Sequence, residues 1–369
     1  MWQYTVQRTL LAIPTLLGIS LLSFFIMHLA PGDPVDLFLG GAAGGEGIST
    51  DKQADREKTR QELRRQLGLD QSLPLQYLGW LGKLVLKVEA VPEGGSAYQG
   101  SGLELGRLGK RRFVTLDFGR SFKDQQPVIG HILKRLPVTL EINLLSLFFA
   151  YVVGIPLGIL LAVRQNTWLD RVLTSGSFVL WSMPSFWVGM LLILLLCNKE
   201  FLYWFPASGI QALEATQNWG LWRLLTDHFH HLALPVLAST YGSFAGLSRY
   251  MRTSMLENLR LDYVRTARSK GLPEKAVVLR HVVRNSLIPI VTLMGGLLPG
   301  LIAGSVFVET IFTVPGMGFL GFQSVLVRDY PMVMAIFTIG AALSLLGILV
   351  ADILLKAVDP RIEFSRVQR

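Results

Sequence analysis

Tyr263-Val264-Arg265-Thr266-Ala267-Arg268-Ser269-Lys270-Gly271-Leu272-Pro273-Glu274 is a basic, helix-patterned stretch that breaks off and starts again, with strongly apolar runs on both sides of it. Leu256, Leu259, Tyr263 and Ala267 recur three or four residues apart and Gly271 continues the row, which makes one apolar stripe on a helix. Ala276, Leu279, Val283 and Leu287 repeat the spacing beyond the break. Gly271 permits a positive φ, Leu272 is pushed toward extended backbone by the proline after it, and Pro273 with Glu274 suits the first turn of a new helix. The reading is helix, sharp turn, helix, projecting between two membrane spans. Its basic side chains (Arg265, Arg268, Lys270, Lys275, Arg280, Arg284) serve either to hold the loop against anionic head groups or to dress a rigid lever that another protein pushes.

The rest of the chain supplies the spans. Hydrophobic residues make up 51% of the 369 and charged ones 17%, with mean hydropathy +0.43, more apolar surface than one globular core needs. A pI near 9.7 invites a nucleic-acid reading, but the basic residues fall beside the apolar runs and belong to the membrane surface. A hydrocarbon core of about 30 Å takes about 20 helical residues. Six runs qualify or nearly do: Thr9 to Leu29, Thr139 to Val163, Leu173 to Cys197, Leu232 to Leu247, Leu287 to Val308 and Val333 to Leu355. The first lacks an A-x-A cleavage pattern and reads as a retained helix rather than a secretory signal. With the N-terminus inside, sixteen Lys and Arg flank the inner span ends against three in the short outer loops, so both termini are expected in the cytoplasm. The division is a first helix over 1–29, an extracytoplasmic segment over 30–136, a core over 137–357 with the basic loop at 249–286, and a cytoplasmic tail over 358–369.

The outer segment has its own character. Gly40, Gly41, Gly44, Gly45 and Gly47 read as a linker, Asp51 to Leu69 as a charged helix with Leu63 and Leu67 on one face, and Val91 to Gly109 as mobile loop. The expectation is a small domain with one helix. Gly109-Lys110 is no phosphate loop, because Glu104 stands where a Walker sequence needs Gly and Arg111 where it needs Ser or Thr.

No span carries an Asp, Glu, Lys or Arg near its middle, and Glu141, Glu309 and Asp352 lie at the ends. This disfavours an ion-coupled secondary carrier, which would keep such a group and an internal repeat. A membrane scaffold whose basic loop recruits a partner is the other alternative. Gly296, Gly300 and Gly304 form a spacing-four row on the fifth run, as Gly154 and Gly158 do on the second; the row reads as close helix packing or as a sliding surface at a pore. Pro156, Pro184, Pro235, Pro289 and Pro299 allow kinks. Asp227-His228-Phe229-His230-His231 offers metal-ligating side chains, but helical spacing brings only pairs of them to one face, and boundary polarity is the plainer reading. Cys197, the single cysteine, is read as a packed thiol.

The elbow and its flanks carry a family resemblance. Tyr263 to Leu272 followed by Arg284-Asn285-Ser286-Leu287-Ile288-Pro289 resembles the EAA loop of ABC importer permeases, in the form typical of the dipeptide, oligopeptide and nickel group. Ala30-Pro31-Gly32-Asp33-Pro34, Leu136-Pro137-Val138-Thr139-Leu140-Glu141, Phe205-Pro206-Ala207-Ser208-Gly209, Glu309-Thr310-Ile311-Phe312, Pro315-Gly316-Met317-Gly318 and Asp359-Pro360-Arg361 are similar, in order, to that group's B-type permease. Two departures stand out: Arg265-Thr266-Ala267 occupies the place of Glu-Ala-Ala, and Val283-Arg284 that of Leu-Pro. A segment from about Lys87 to Val114 looks inserted.

The resemblance implies an all-α, six-helix type I importer permease fold. It further implies a half-pore in the bacterial-type cytoplasmic membrane, paired with a second, C-type permease, seated on two ATPase subunits that hold ATP and Mg, and served by an extracytoplasmic binding protein. No catalytic residue and no metal is implied in this chain. The loop would form a coupling helix in a groove of the ATPase, with contact at Asp262, Tyr263, Thr266, Ala267, Gly271, Leu272 and Glu274. Peptides are the expected cargo; the choice among dipeptide, longer peptide and nickel chelate is left open.

Overall fold

The computed structural model describes residues 2–29, 35, 50–66, 69–85, 87–90, 103–108, 111–212, 219–295 and 297–358. The chain divides into two compact units: Met1–Val6 with Leu136–Phe319 and Leu343–Arg369, and Gln7–Arg135 with Leu320–Ala342.

Among the described residues three helices are long and apolar enough to cross a membrane: α1 (Trp2–Leu29), α4 (Val128–Val163) and α14 (Tyr330–Val358). Large apolar side chains remain exposed along them, as Leu10, Ile26, Phe148 and Leu346 do, which suits hydrocarbon rather than water. The third expected span, Leu173 to Cys197, is not one rod. It is α5 (Trp168–Ser182) and α6 (Ser185–Leu196), bent by 101° at Met183-Pro184, where the missing proline N–H and the extended residue before it end the first helix. The fourth lies inside α7 (Leu221–Asn258), a 38-residue helix that is the central strut of its unit. Leu232, Leu234, Val236 and Ala238 are buried there with Ile142, Val308 and Phe312, and Leu247, Met251 and Met255 enter a second core.

Beyond α7 come α8 (Asp262–Ser269), a short turn α9 (Glu274–Ala276), a π-helical turn over Val277–Val282, and α10 (Val283–Gly295). The fifth expected span, Leu287 to Val308, is likewise broken. It comprises the end of α10, then α11 (Leu298–Ala303) and α12 (Val306–Ile311), after which comes α13 (Met317–Leu326). Gly304 takes φ 70° and ends α11, and the Ser305 hydroxyl caps α12 by accepting from the Val308 N–H. Gly300 and Gly304 therefore do not continue one helical face, and Gly296 lies outside the described residues. The row at Gly154 and Gly158 does serve packing. A Cβ on Gly158 would come within 2.6 Å of Met251 Cβ and the Ser248 carbonyl, so α4 and α7 touch backbone to side chain.

The other unit corrects the all-α expectation. After α2 (Thr50–Gln66) and α3 (Leu73–Val85), strands β1 (Lys87–Ala90), β2 (Leu103–Leu108) and β3 (Arg111–Thr115) form an antiparallel sheet in the order β1-β3-β2, with β2 inside the stretch expected as mobile loop and β1 and β3 on its flanks. The Leu116 N–H donates to the Leu84 carbonyl at 2.9 Å and ties the sheet to α3. Gly109-Lys110 thus leads into a strand, not into the helix a phosphate loop requires. Elsewhere in this unit the buried Asp329 caps α14 by accepting from the Met332 N–H at 3.4 Å, and it also accepts from the Phe122 N–H at 3.0 Å and the Ser121 hydroxyl. The linker glycines 40–47, the Ala30 to Pro34 motif and Asp359-Pro360-Arg361 lie outside the described residues.

Candidate functional site

The elbow between α7 and α10 has the shape its residues dictate. α8 ends at Ser269, Gly271 takes φ +75°, and Pro273 at φ −65° opens α9. Across the turn Arg268 grips Glu274 with two charge-assisted bonds, Nε to Oε2 at 3.1 Å and the guanidinium NH2 to Oε1 at 2.6 Å. That bonding holds the Glu274 carboxyl below the usual glutamate range and raises the Arg268 guanidinium above its ordinary value. Asp262 stands 3.6 Å from Arg265 on the exposed side of α8.

Beneath the turn is a dry core. Val264, Val277 and Val282 have no exposed surface, and Ala267 and Val278 are buried with them against Met251, Met255 and Ile290. Leu256, Leu259 and Tyr263 of the first stripe pack against this core, and the Tyr263 hydroxyl donates to Asn258 Oδ1 at 2.9 Å. The second stripe is shifted. Val283 and Leu287 pack against the core as expected, but Leu279 is 52% exposed and the buried row ahead of them is Val277, Val278, Val282, because the π turn holds more residues per turn than the 3.6 the spacing assumes.

Of the residues expected at the contact, Asp262, Thr266, Gly271, Leu272 and Glu274 are exposed, and Tyr263 is half-buried. Leu272 presents 39% of its surface at the tip, an apolar side chain with no cover of its own. Ala267 is the exception. At 5% exposure it belongs to the core under the elbow, where another protein does not reach.

Two features escaped the sequence reading. Asp170 joins Arg252 at 2.9 Å and so links α5 to α7 just before the elbow, while also accepting from the Asn166 N–H and the Thr174 hydroxyl. Thr167-x-x-Asp170, a helix-start pattern, was the available signal. Glu309 is 2% exposed, and its carboxylate accepts from the Thr139 hydroxyl at 3.0 Å and the Phe319 N–H at 2.8 Å. Thr139 Oγ1 in turn accepts from the Met317 N–H at 2.7 Å. Glycines 304 and 316 stand so close that a Cβ on either would overlap the carboxylate. Motifs about 170 residues apart in the chain, around Thr139 and around Glu309 to Gly318, thereby meet in one buried lock.

The three histidines of this cluster each have different partners. His228 bridges the Ile210 carbonyl at 2.9 Å and the Glu141 carboxylate at 2.9 Å, His230 reaches the Trp204 carbonyl at 2.7 Å, and His231 reaches the Asp227 carbonyl at 2.8 Å. Among the described residues no three His, Cys, Asp or Glu side chains are placed to share a metal ion.

Apolar helices of membrane-crossing length, a stiff basic elbow and a buried lock of distant motifs define a multi-pass membrane component. The chain belongs to the binding-protein-dependent transport system inner membrane component family, whose model matches residues 154–364, with the family's N-terminal component model matching residues 1–102. It is 40% identical to the oligopeptide transport system permease protein AppB of Bacillus subtilis over 98% of this chain and 99% of that one. With the dipeptide transport system permease protein DppB of Escherichia coli it shares 32% over 99% of this chain and 100% of that one. A chain of the MetNI methionine ABC transporter in an inward-facing conformation aligns over 63% of this chain and 98% of its own, with 18% identity and TM-score 0.46. The chain is a permease subunit, and in this family ATP hydrolysis belongs to other subunits.

Proposed function

We propose that this chain forms half of an ATP-driven translocation pathway for peptides and that its elbow is the part an ATPase subunit moves. Oligopeptide and dipeptide permeases as relatives over nearly the full length support the cargo class. The elbow supports the mechanism, and its geometry is the observation that carries the reading. A lever must be stiff at its bend and apolar at its tip. Here the bend is fixed by Gly271, Pro273 and the Arg268–Glu274 clamp, and the tip offers Leu272.

A second, similar permease completes the pore, two ATPases bind ATP and Mg, and a binding protein delivers cargo from outside. Six spans with both termini in the cytoplasm fit the distribution of Lys and Arg, the bent α5–α6 pair and the broken α10–α12 run counting as one span each. On this reading Asp262, Tyr263, Thr266, Gly271, Leu272 and Glu274 face the ATPase. Docking in two nucleotide states biases the permease only through contacts that differ between those states, and a rigid elbow converts such differences into helix displacement.

The experiment is co-reconstitution of the complex with Gly271→Val in this chain, measuring peptide uptake and ATP hydrolysis together. Hydrolysis that continues while uptake fails supports the coupling role. Uptake at the parental rate per ATP removes it.

A further inference from the structure

We infer that the groove between α4, α7 and the α10–α11 junction receives the backbone of the transported peptide, and that it recognises peptide bonds rather than side-chain charge. This rests on the peptide-importer reading above. The groove is a cavity of about 740 Å³. Its polar lining is Asn143, Ser146, Tyr151, Trp181, Ser239, Ser243 and Tyr250, with no Asp, Glu, Lys or Arg among the lining residues; the nearby Arg249 guanidinium is held over the Trp181 ring at 5.5 Å. Hydroxyls and an amide both donate and accept, as peptide groups do, and the indole N–H adds a donor, while the aromatic faces cover the apolar parts of a passing chain.

Two observations separate this groove from ordinary packing. The Ser239 hydroxyl oxygen is sealed from solvent and has no hydrogen-bond partner among the described residues, a costly state for a polar atom unless something else bonds it. Asn143, by contrast, is fixed in place by donating to the Gly300 and Leu301 carbonyls at 3.1 and 2.8 Å. The second observation is the groove's bare floor. Gly154 and Gly158 are glycine because α7 presses on them, but a Cβ on Gly242 would meet nothing within 4 Å and one on Gly246 only the Trp181 indole at 3.7 Å. Glycine inside a helix costs about 1 kcal/mol relative to alanine, and nothing in this chain's own packing accounts for it at Gly242. A surface kept clear for an occupant does.

The spacing of Gly242 and Gly246 also suits close approach by a helix of the second permease, and the experiment separates the two. A benzophenone-bearing phenylalanine is placed at position 243 or 250 of this chain in the full complex, reconstituted with its binding protein and radiolabelled trialanine. Position 237, an exposed site on the same helix, serves as control. Irradiation is expected to label this chain from 243 and 250 but not from 237, with unlabelled peptide competing. Joining to the second permease alone, or label no greater than at 237, overturns the assignment. Gly242→Leu, at a position where a Cβ meets nothing within 4 Å, is expected to leave assembly intact and abolish uptake; a complex that falls apart instead overturns the groove in favour of a permease interface. Uptake of the same peptide by the parent complex is measured alongside. Its absence overturns the peptide reading itself and the groove with it, a failure distinct from the other two.

Discussion

Replacing Gly271 by valine isolates the bend of the elbow from everything around it. At φ +75° a β-branched residue is strained by about 1–3 kcal/mol, whereas a Cβ at this position meets no atom within 4 Å. The perturbation is therefore one of backbone conformation with no steric clash. At about 1.4 kcal/mol per tenfold, a strain of about 2 kcal/mol lowers the population of the native turn relative to an opened one about thirtyfold. The helices on either side have a core of their own, in which Val264, Val277 and Val282 have no exposed surface. The variant should accumulate in the membrane and assemble, hydrolyse ATP, and lose peptide uptake by a factor approaching that population change. Gly271→Asn is the matched control, because asparagine enters left-handed backbone at low cost, and it should retain most uptake. Uptake and hydrolysis are read in proteoliposomes and abundance by immunoblot. Parental uptake per ATP in the valine variant, with the protein present at parental level, would refute the lever.

Leu272→Ser should weaken attachment of the ATPase by about 1 kcal/mol or more, seen as reduced co-purification at unchanged thermal stability of this chain. Glu274→Gln removes the carboxylate end of an exposed clamp and should cost at most about 1 kcal/mol, measured as a small drop in coupling ratio. Because the Arg268 bonds depress the Glu274 carboxyl, the clamp contributes fully above the unfolded glutamate pKa of about 4.3 and is lost only as pH falls through the lower folded value. Coupling measured between about pH 6 and 8 should show no step from this pair. Glu309→Ala leaves the Phe319 N–H and the Thr139 hydroxyl without their acceptor, at about 1–3 kcal/mol for each buried group left unpaired. A melting temperature in detergent equal to that of the parent would contradict the lock. Gly158→Leu must part α4 from α7 and should destabilise by about 1–3 kcal/mol in the same assay.

Gly271-Leu272-Pro273 was readable because its conformation is local: positive φ, extended residue and helix start each arise from one or two side chains. The buried row after it was not, since a π turn alters the helical period without a composition signal of its own. Two of the strands, β1 and β2, had a signal in the alternation of Lys87-Val88-Glu89-Ala90 and Leu103-Glu104-Leu105; Arg111-Arg112-Phe113-Val114 in β3 does not alternate. Short strands among glycine-rich stretches pair across distance, however, and the pairing is what makes them strands. Gly304-Ser305 was a helix stop and start that the spacing of three glycines disguised as a packing face. The Glu309 lock was half visible: its pieces stand in the sequence as separate motifs, but only the fold brings Thr139 to them. The metal-like histidine cluster resolves for a related reason, in that each imidazole finds a carbonyl or carboxylate contributed by a different part of the chain.

The core under the elbow has a mechanical corollary. The valines that seal its inner face are packed on the same methionines and isoleucine that pin α7 to α10. A displacement applied at the tip meets no soft layer in which to dissipate and little play to take up. It must turn both long elements as one body, so the stroke delivered to the bundle is set by how far the tip is carried.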